Sequence, residues 1–273
     1  MKRVILFVFF IWTVNIILIF GQSDPQREQI RRENRDRQQT IEDFDRIKNA
    51  AIEPINLSVF RLSKKDLQLI APHETDKSQY ADFLRLPDTE ITKILNVSCF
   101  GVGDIELSAG CKSGIPGYGK FYSFNHKRHL PSKLSNIQLV KDWFAATGFL
   151  TQGLIVSLGE VDIRDVSLHS QGVRFLSAFV PAETSTGAEK QAEKIKIGIE
   201  AENYIYKQAE KIKENNVYAM RSISYRSKIK TASFDKRTDI IVVFKVIRIE
   251  KDGSVVLIWR KLQSKDAPKI VEE

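Results

Sequence analysis

Cysteine, methionine, histidine and tryptophan are scarce, at 2, 2, 4 and 3 residues in a chain of 273. Two cysteines exclude a scaffold stapled by several disulfides. Cys99 and Cys111 are too far apart for a C-x-x-C redox pair. The histidines are few and scattered. His126 and His129 frame Lys127 and Arg128, two cations that oppose a divalent ion, and no third ligand stands nearby, so no metal is expected. The nucleophile elbow G-x-S-x-G is missing, because Ile155 and not glycine precedes Ser157 by two positions. Residues 114–120 fit G-x-x-x-x-G-K and then fail as a phosphate loop. Phe121 stands where a hydroxyl would hold Mg²⁺, and a strand-like aromatic run follows instead of a helix. Neither a nucleotide nor another cofactor is expected. No internal repeat is visible, and only one hydrophobic run is long.

That run is the most informative stretch present. Met1, Lys2 and Arg3 make a basic start, and residues 4–20 are apolar except for Thr13 and Asn15. Gly21, Gln22 and Ser23 return the chain to polar character. The pattern is that of an export signal. A spanning helix needs about 20 apolar residues and a signal core about 7–15, so this run fits a cleaved signal and an uncleaved anchor alike. A cut after Gly21 leaves Ile19 at −3, a poor match to a small-residue cleavage site. Either way the remainder is expected outside the cytoplasm, secreted or periplasmic, with Lys2 and Arg3 inside. In such a compartment Cys99 and Cys111 are expected to bridge, which closes a loop worth about 3 kcal/mol.

The formal charge is +8. This excess suits an anionic envelope polymer, a lipid surface or another envelope protein, and outside the cytoplasm it does not point to nucleic acid. A hydrophobic content of 42% with 16 Phe argues for a packed domain over disorder. Three regions are expected: a signal over 1–21, a charged helical arm over 22–51 and one globular domain over 52–273.

Within that domain the fold class expected is α+β. Strands are read at 53–62, 105–107, 120–124, 137–144, 150–158 and 161–166, and short N-terminal helices at 64–70, 75–84 and 89–95. A further short helix covers 170–179. Residues 183–215 carry Ala188, Ala192, Ile195, Ile199, Tyr206 and Ala209 on one helical face. They predict one long amphipathic helix packed on a mainly antiparallel sheet. Two β-branched runs at 239–249 and 255–262 flank Asp252-Gly253 and predict a C-terminal hairpin, with 216–229 as a neighbouring strand.

Asp162, Asp165 and His169, beside Glu160, are the only dense acid/base group, and they are the weak candidates for a hydrolase acting on an envelope or extracellular polymer. Arg226, Lys228, Lys230, Lys236 and Arg237 concentrate positive charge between two strands and form the candidate anionic contact surface. Lys120, Lys127, Arg128 and Lys133 with Tyr122 and Phe124 suggest a second basic patch. The leading expectation is a non-enzymatic binding or structural role.

Overall fold

The β-branched runs near the C-terminus form the centre of the molecule. The computed structural model describes residues 64–96, 117–228 and 237–271, which all belong to the unit Asn56–Glu273. In chain order the elements are α1 (Lys64–Ile70), α2 (Glu74–Gln79), α3 (Ala81–Leu84), β1 (Thr89–Ile94), β2 (Phe121–Tyr122), β3 (Ile137–Val140), β4 (Trp143–Ala146) and β5 (Thr151–Gly159). There follow α4 (Arg174–Ala178), α5 (Ser185–Ile197), β6 (Ile199–Ala201), β7 (Tyr204–Tyr206), β8 (Ala209–Lys211), β9 (Val217–Ser224), β10 (Arg226–Ser227), β11 (Thr238–Ile249), β12 (Val255–Asp266) and β13 (Lys269–Ile270). The class is α+β with mostly antiparallel sheets.

The main sheet has five strands in the order β1-β12-β11-β9-β5, every neighbouring pair antiparallel. A second sheet of four strands runs β2-β3-β4-β8. Side chains alternate across β11: Ile240, Val242, Phe244 and Val246 enter one core, while Ile241 and Val243 enter another. Both faces of the central strand are covered, so its sequence reads as a continuous apolar run. On one side the four-stranded sheet supplies Tyr122, Phe124, Ile137, Leu139 and Phe144. Their rings meet Trp259, Tyr218 and Phe244 with centroids 5.1–5.6 Å apart in the Phe124–Trp259, Phe144–Phe244, Tyr218–Phe244 and Phe144–Tyr218 pairs, each worth about 0.5–1.5 kcal/mol beyond burial. On the other side the helices and turns supply Phe83, Ile163, Val166, Leu176 and Ile195.

The two sheets meet at both margins. Ile155 of β5 and Lys207 exchange backbone hydrogen bonds of 2.7 and 3.0 Å, and the Ala146 amide donates to Gln208 at 2.9 Å. The chain over 204–211 thus passes from one sheet to the other, the device that turns a sheet corner. At the opposite margin the Leu95 amide donates to the Gly119 carbonyl at 2.9 Å. Gly153 permits the closest approach, because a Cβ there would lie 2.0 Å from the Ala146 Cβ.

A buried ion pair joins the sheet to its helical cover. Arg221 of β9 and Asp239 of β11 are 3% and 4% exposed and bond at 2.9 and 2.6 Å in fork geometry. The third guanidinium nitrogen donates to the carbonyls of Leu176 and Phe179 at 2.7 and 2.5 Å, which closes the C-terminal end of α4. A second polar knot fixes α5. Tyr225 donates to Gln152 at 2.7 Å and accepts from the Ala182 amide at 3.0 Å, and Gln152 reaches the Ala188 carbonyl.

Several expectations need correction. Residues 183–215 are not one helix. Thr184 caps α5 through the Gly187 amide, and Gly198, at φ 118°, ends it after 13 residues. Tyr204, Ile205 and Tyr206 favour strand, and Glu202 and Asn203, at φ 53° and 67°, make the turn of the β6–β7 hairpin. The reading of 89–95 as helix fails because Thr89, Ile91, Thr92 and Ile94 pair along β12; tertiary pairing overrides a short-range cap signal. Residues 161–166 are turns and not a strand. Gly159, at φ 79°, ends β5, and the Asp162 carboxylate takes the Arg164 amide at 2.9 Å, which competes with strand pairing. Residues 137–144 are split into β3 and β4 by a turn with Lys141 at φ 56°. Residues 75–84 are split into α2 and α3 at Tyr80, and β2 covers only part of 120–124. The strand readings at 53–62 and 105–107, the 22–51 arm and the Cys99–Cys111 bridge lie outside the described residues.

Replacing Gly153 by Ala is expected to destabilise the fold by about 1–3 kcal/mol through overpacking, and adding Ala146→Gly should recover most of that loss. Arg221→Met leaves Asp239 buried and should cost about 3–5 kcal/mol. Adding Asp239→Leu should recover only part, since the carbonyls of Leu176 and Phe179 remain unmatched. Urea midpoints of the single and double variants check both.

Candidate functional site

The core occupies both faces of the main sheet, and among the described residues clefts open at its rim. The first, of about 570 Å³, opens between α2–α3, the turn after β5 and the end of β11. Its floor is Phe83, Ile163 and Ile258, and its polar wall includes Asp82, Glu160, Asp162, Arg164 and Lys245. Turn chemistry places Asp162: once Gly159 ends β5, its carboxylate folds back to take both the amide and the guanidinium of Arg164. Those hydrogen bonds hold its carboxyl down to about 2, helped by the charges of Arg164 and Lys245. Such a carboxylate has no proton to give near neutral pH. Burial and the nearby Asp76 carboxylate push the Tyr80 phenol up.

Asp165 and His169 lie on the same turn segment, but neither lines this cleft. Both are exposed. The Asp165 amide donates to the Asp162 carbonyl at 3.1 Å, and the His169 amide to the Ser167 hydroxyl at 3.3 Å, so what ties them locally is backbone geometry. Of the basic candidates, Lys228 is exposed and Arg226 half-buried in β10. Arg237 donates to the Tyr225 carbonyl at 2.8 Å and lies 5.3 Å over the Phe149 ring, which gives it a structural task. Lys230 and Lys236 lie outside the described residues. Pairing of β10 with β13 sets Lys269 opposite Arg226, a neighbour that sequence order concealed.

The second cleft, of about 490 Å³, lies between α1, β1 and the turn after β2. Leu67, Ile70, Pro72 and Ile91 form its apolar side, while Glu90, Thr92, Tyr122, Lys127, Arg128 and His129 form the polar one. Tyr122 donates to Glu90 Oε2 at 2.7 Å. Burial pushes the Glu90 carboxyl up, opposed by this bond and by Lys127, and burial beside Glu90 pushes the Tyr122 phenol up. A tight turn closed by Ser123–Arg128 backbone bonds of 2.9 and 3.3 Å holds Lys127 at φ 50°. Its ammonium stands 4.0 Å from the Asp88 carboxylate and 5.8 Å from the Trp259 ring centre. His129 is buried and its Nδ1 donates to the Phe121 carbonyl at 2.8 Å. Of the expected patch of Lys120, Lys127, Arg128 and Lys133 with Tyr122 and Phe124, Lys127 and Lys133 are exposed and Arg128 is half-buried, whereas Lys120 is buried and both rings belong to the core.

Neither Glu90 nor Lys245 stands out in the sequence, and Tyr122 and Lys127 stand out only as members of a basic patch. The signal for Glu90 was present as period-two alternation. Read as a strand, 89–94 puts Glu90 and Thr92 on the same face as Ile94, and a carboxyl on the core face of a strand is a departure worth marking. Among the described residues no cluster of His, Cys, Asp and Glu fits a metal ion, and no helix is long and apolar enough to cross a membrane. No protein-family model, curated protein or solved structure matches this chain.

The raised Glu90 carboxyl has a direct consequence for stability. Its folded form holds the proton more tightly than the unfolded chain does. This favourable contribution is present below the ordinary glutamate value of about 4.3 and is lost as pH rises through the raised one. Glutamine cannot ionise, so Glu90→Gln should gain stability relative to wild type between acid and neutral pH. Urea midpoints at pH 4 and pH 7 check this; a pH-independent gap between the two proteins refutes it.

Proposed function

We propose that the chain is an exported domain that acts at the cell envelope by binding, without catalysis of its own. The observation that carries this reading is the Asp162 cleft. Its carboxylate is locked in a two-pronged pair with Arg164 and held ionised, with Lys245, Glu160 and Asp82 around it. Acid–base catalysis needs two groups whose proton affinities are set apart near the working pH, whereas fixed opposite charges around an apolar floor suit recognition. Export rests on the basic start and apolar run of residues 1–20. The finer architecture in this reading keeps α5 as the amphipathic helix on the sheet and β11–β12 as the C-terminal hairpin.

The partner in this reading is an anionic envelope polymer, a lipid surface or another envelope protein, met by the basic face that includes Arg226, Lys228 and Lys269. Each lysine near an anionic surface is worth about 1 kcal/mol at moderate salt. Lys228→Glu with Lys269→Glu should lower retention on anionic vesicles or polymer at least tenfold, and the wild-type retention should fall as salt rises. Unchanged retention by the double variant, or salt-insensitive retention by wild type, refutes the contact surface. Fractionation of the native host with intact-mass analysis tests export, and cytoplasmic protein that keeps residues 1–21 overturns it.

A hydrolase acting on an envelope or extracellular polymer is the second reading. The observation that favours it is Glu90, a carboxyl raised by burial in a cleft, which is the property a general acid requires. Release of polymer fragments by wild type but not by Glu90→Gln would establish it.

A further inference from the structure

The Glu90 cleft separates its linings by chemistry. Helix α1 and the segment after it offer only carbon, through Leu67, Ile70, Ala71 and Pro72, and Ile91 continues this surface. Opposite stand Glu90, Thr92, Tyr122, Lys127, Arg128 and His129, two fixed cations against one carboxyl. Leu67 is 52% exposed, so the apolar wall is accessible from solvent. A volume of about 490 Å³ falls in the range of about 300–1,000 Å³ common for small-molecule sites. An occupant that satisfies both walls is an amphiphile with one compact polar end.

The sign and size of that end follow from the polar wall. Lys127 is presented by a turn with a left-handed backbone, and its ammonium is shared with the Asp88 carboxylate at 4.0 Å. A ligand anion would complete the coordination of that ammonium, which has three donors. Glu90 sets the limit on charge. Its Oε2 takes the Tyr122 hydroxyl, and Oε1 has no hydrogen bond among the described residues. One proton shared between Glu90 and an incoming carboxylate makes a short charge-assisted hydrogen bond. A doubly charged headgroup would instead meet a second carboxyl in a poorly solvated place and be repelled.

We propose that the cleft between α1 and β1 binds a carboxylic acid with an apolar chain, its headgroup between Lys127 and Glu90 and its chain along Leu67, Ile70 and Pro72. Lys127 supplies the attraction, Glu90 the discrimination against dianions, and α1 the apolar contact. This site is separate from the Asp162 cleft and from the basic face, so its failure leaves the envelope-binding reading untouched.

Displacement of a fluorescent fatty acid from the full-length chain tests the proposal, with decanoate, decanol, dodecyl phosphate and acetate as competitors. Decanoate should displace saturably, decanol and dodecyl phosphate at least tenfold more weakly, and acetate not at all. Lys127→Gln should weaken decanoate about tenfold and leave decanol unchanged. Leu67→Glu should weaken both. Glu90→Gln should strengthen dodecyl phosphate relative to decanoate. Thermal unfolding of each variant establishes that it is folded. Three results overturn the proposal: no saturable displacement by decanoate, equal competition by decanoate and dodecyl phosphate, or decanoate binding that none of the three substitutions alters. The last would place the ligand on the apolar N-terminal run instead.

Discussion

The Arg221–Asp239 pair sets the terms for the rest of the fold. Two ionised groups at 3% and 4% exposure are tolerable only if every polar atom they bring is matched. The match requires β9 and β11 as neighbours in a fixed register, with Ile241 opposite Arg221 and Ile223 opposite Asp239. It also requires the carbonyls of Leu176 and Phe179 to arrive from outside the sheet. One guanidinium therefore couples strand register to the position of the covering layer. Slipping the register by one residue would turn Arg221 toward the aromatic core on the other face, where nothing can pair with it.

The covering layer needs that help, because much of it is irregular. Residues 160–173 contain turns, and their backbone cannot satisfy itself as a helix would. Sheet arginines reach out to it: Arg260 donates to the Val166 carbonyl at 2.6 Å, as Arg221 does further along. With the backbone held this way, Ile163, Val166, Val173 and Leu176 can bury against the sheet, while Asp162 and Arg164 on either side of Ile163 stay at the surface. The Asp162–Arg164 pair is thus a product of how a turn-rich segment is fastened, and it presents fixed charges to the cleft. That explains why its charges pair with each other at short range instead of being set apart for proton transfer.

How much of this could be read from the chain depends on how local each cause was. The β11–β12 pairing was legible because β-branched runs and Asp252-Gly253 act within a few residues. The 183–215 segment was misread because apolar positions at helical spacing continued past Gly198, although the β-forming Tyr204, Ile205 and Tyr206 and the Asn203 turn were in plain view. Strand β1 was misread because its six residues become a strand only against β12, more than 160 positions away. Of the site, Asp162 was found for its company of acids, a surface property. Glu90 was missed because its significance lies in burial beside Tyr122, which no spacing along the chain encodes. Arg221 is hidden in the same way: nothing near it along the chain encodes a guanidinium that is 3% exposed and paired with Asp239.

A carboxyl on the inner face of an edge strand is costly unless something offsets it. Glu90 shares that face with Thr92 and Ile94, where a hydrophobic residue would pack more stably against Tyr122 and Trp259. The Tyr122 bond offsets part of the desolvation, and Lys127 a smaller part, but Lys127 itself sits at a left-handed φ of 50°, a conformation that costs about 1 kcal/mol or more for a residue other than glycine. Two unfavourable choices therefore meet in one cleft, next to an apolar wall that the protein leaves accessible. In the Asp162 cleft the Asp162–Arg164 pair is accounted for by the turn that holds it. At Glu90 the fold gains nothing visible from the arrangement, and strain without a structural return is where a binding role has the strongest physical case.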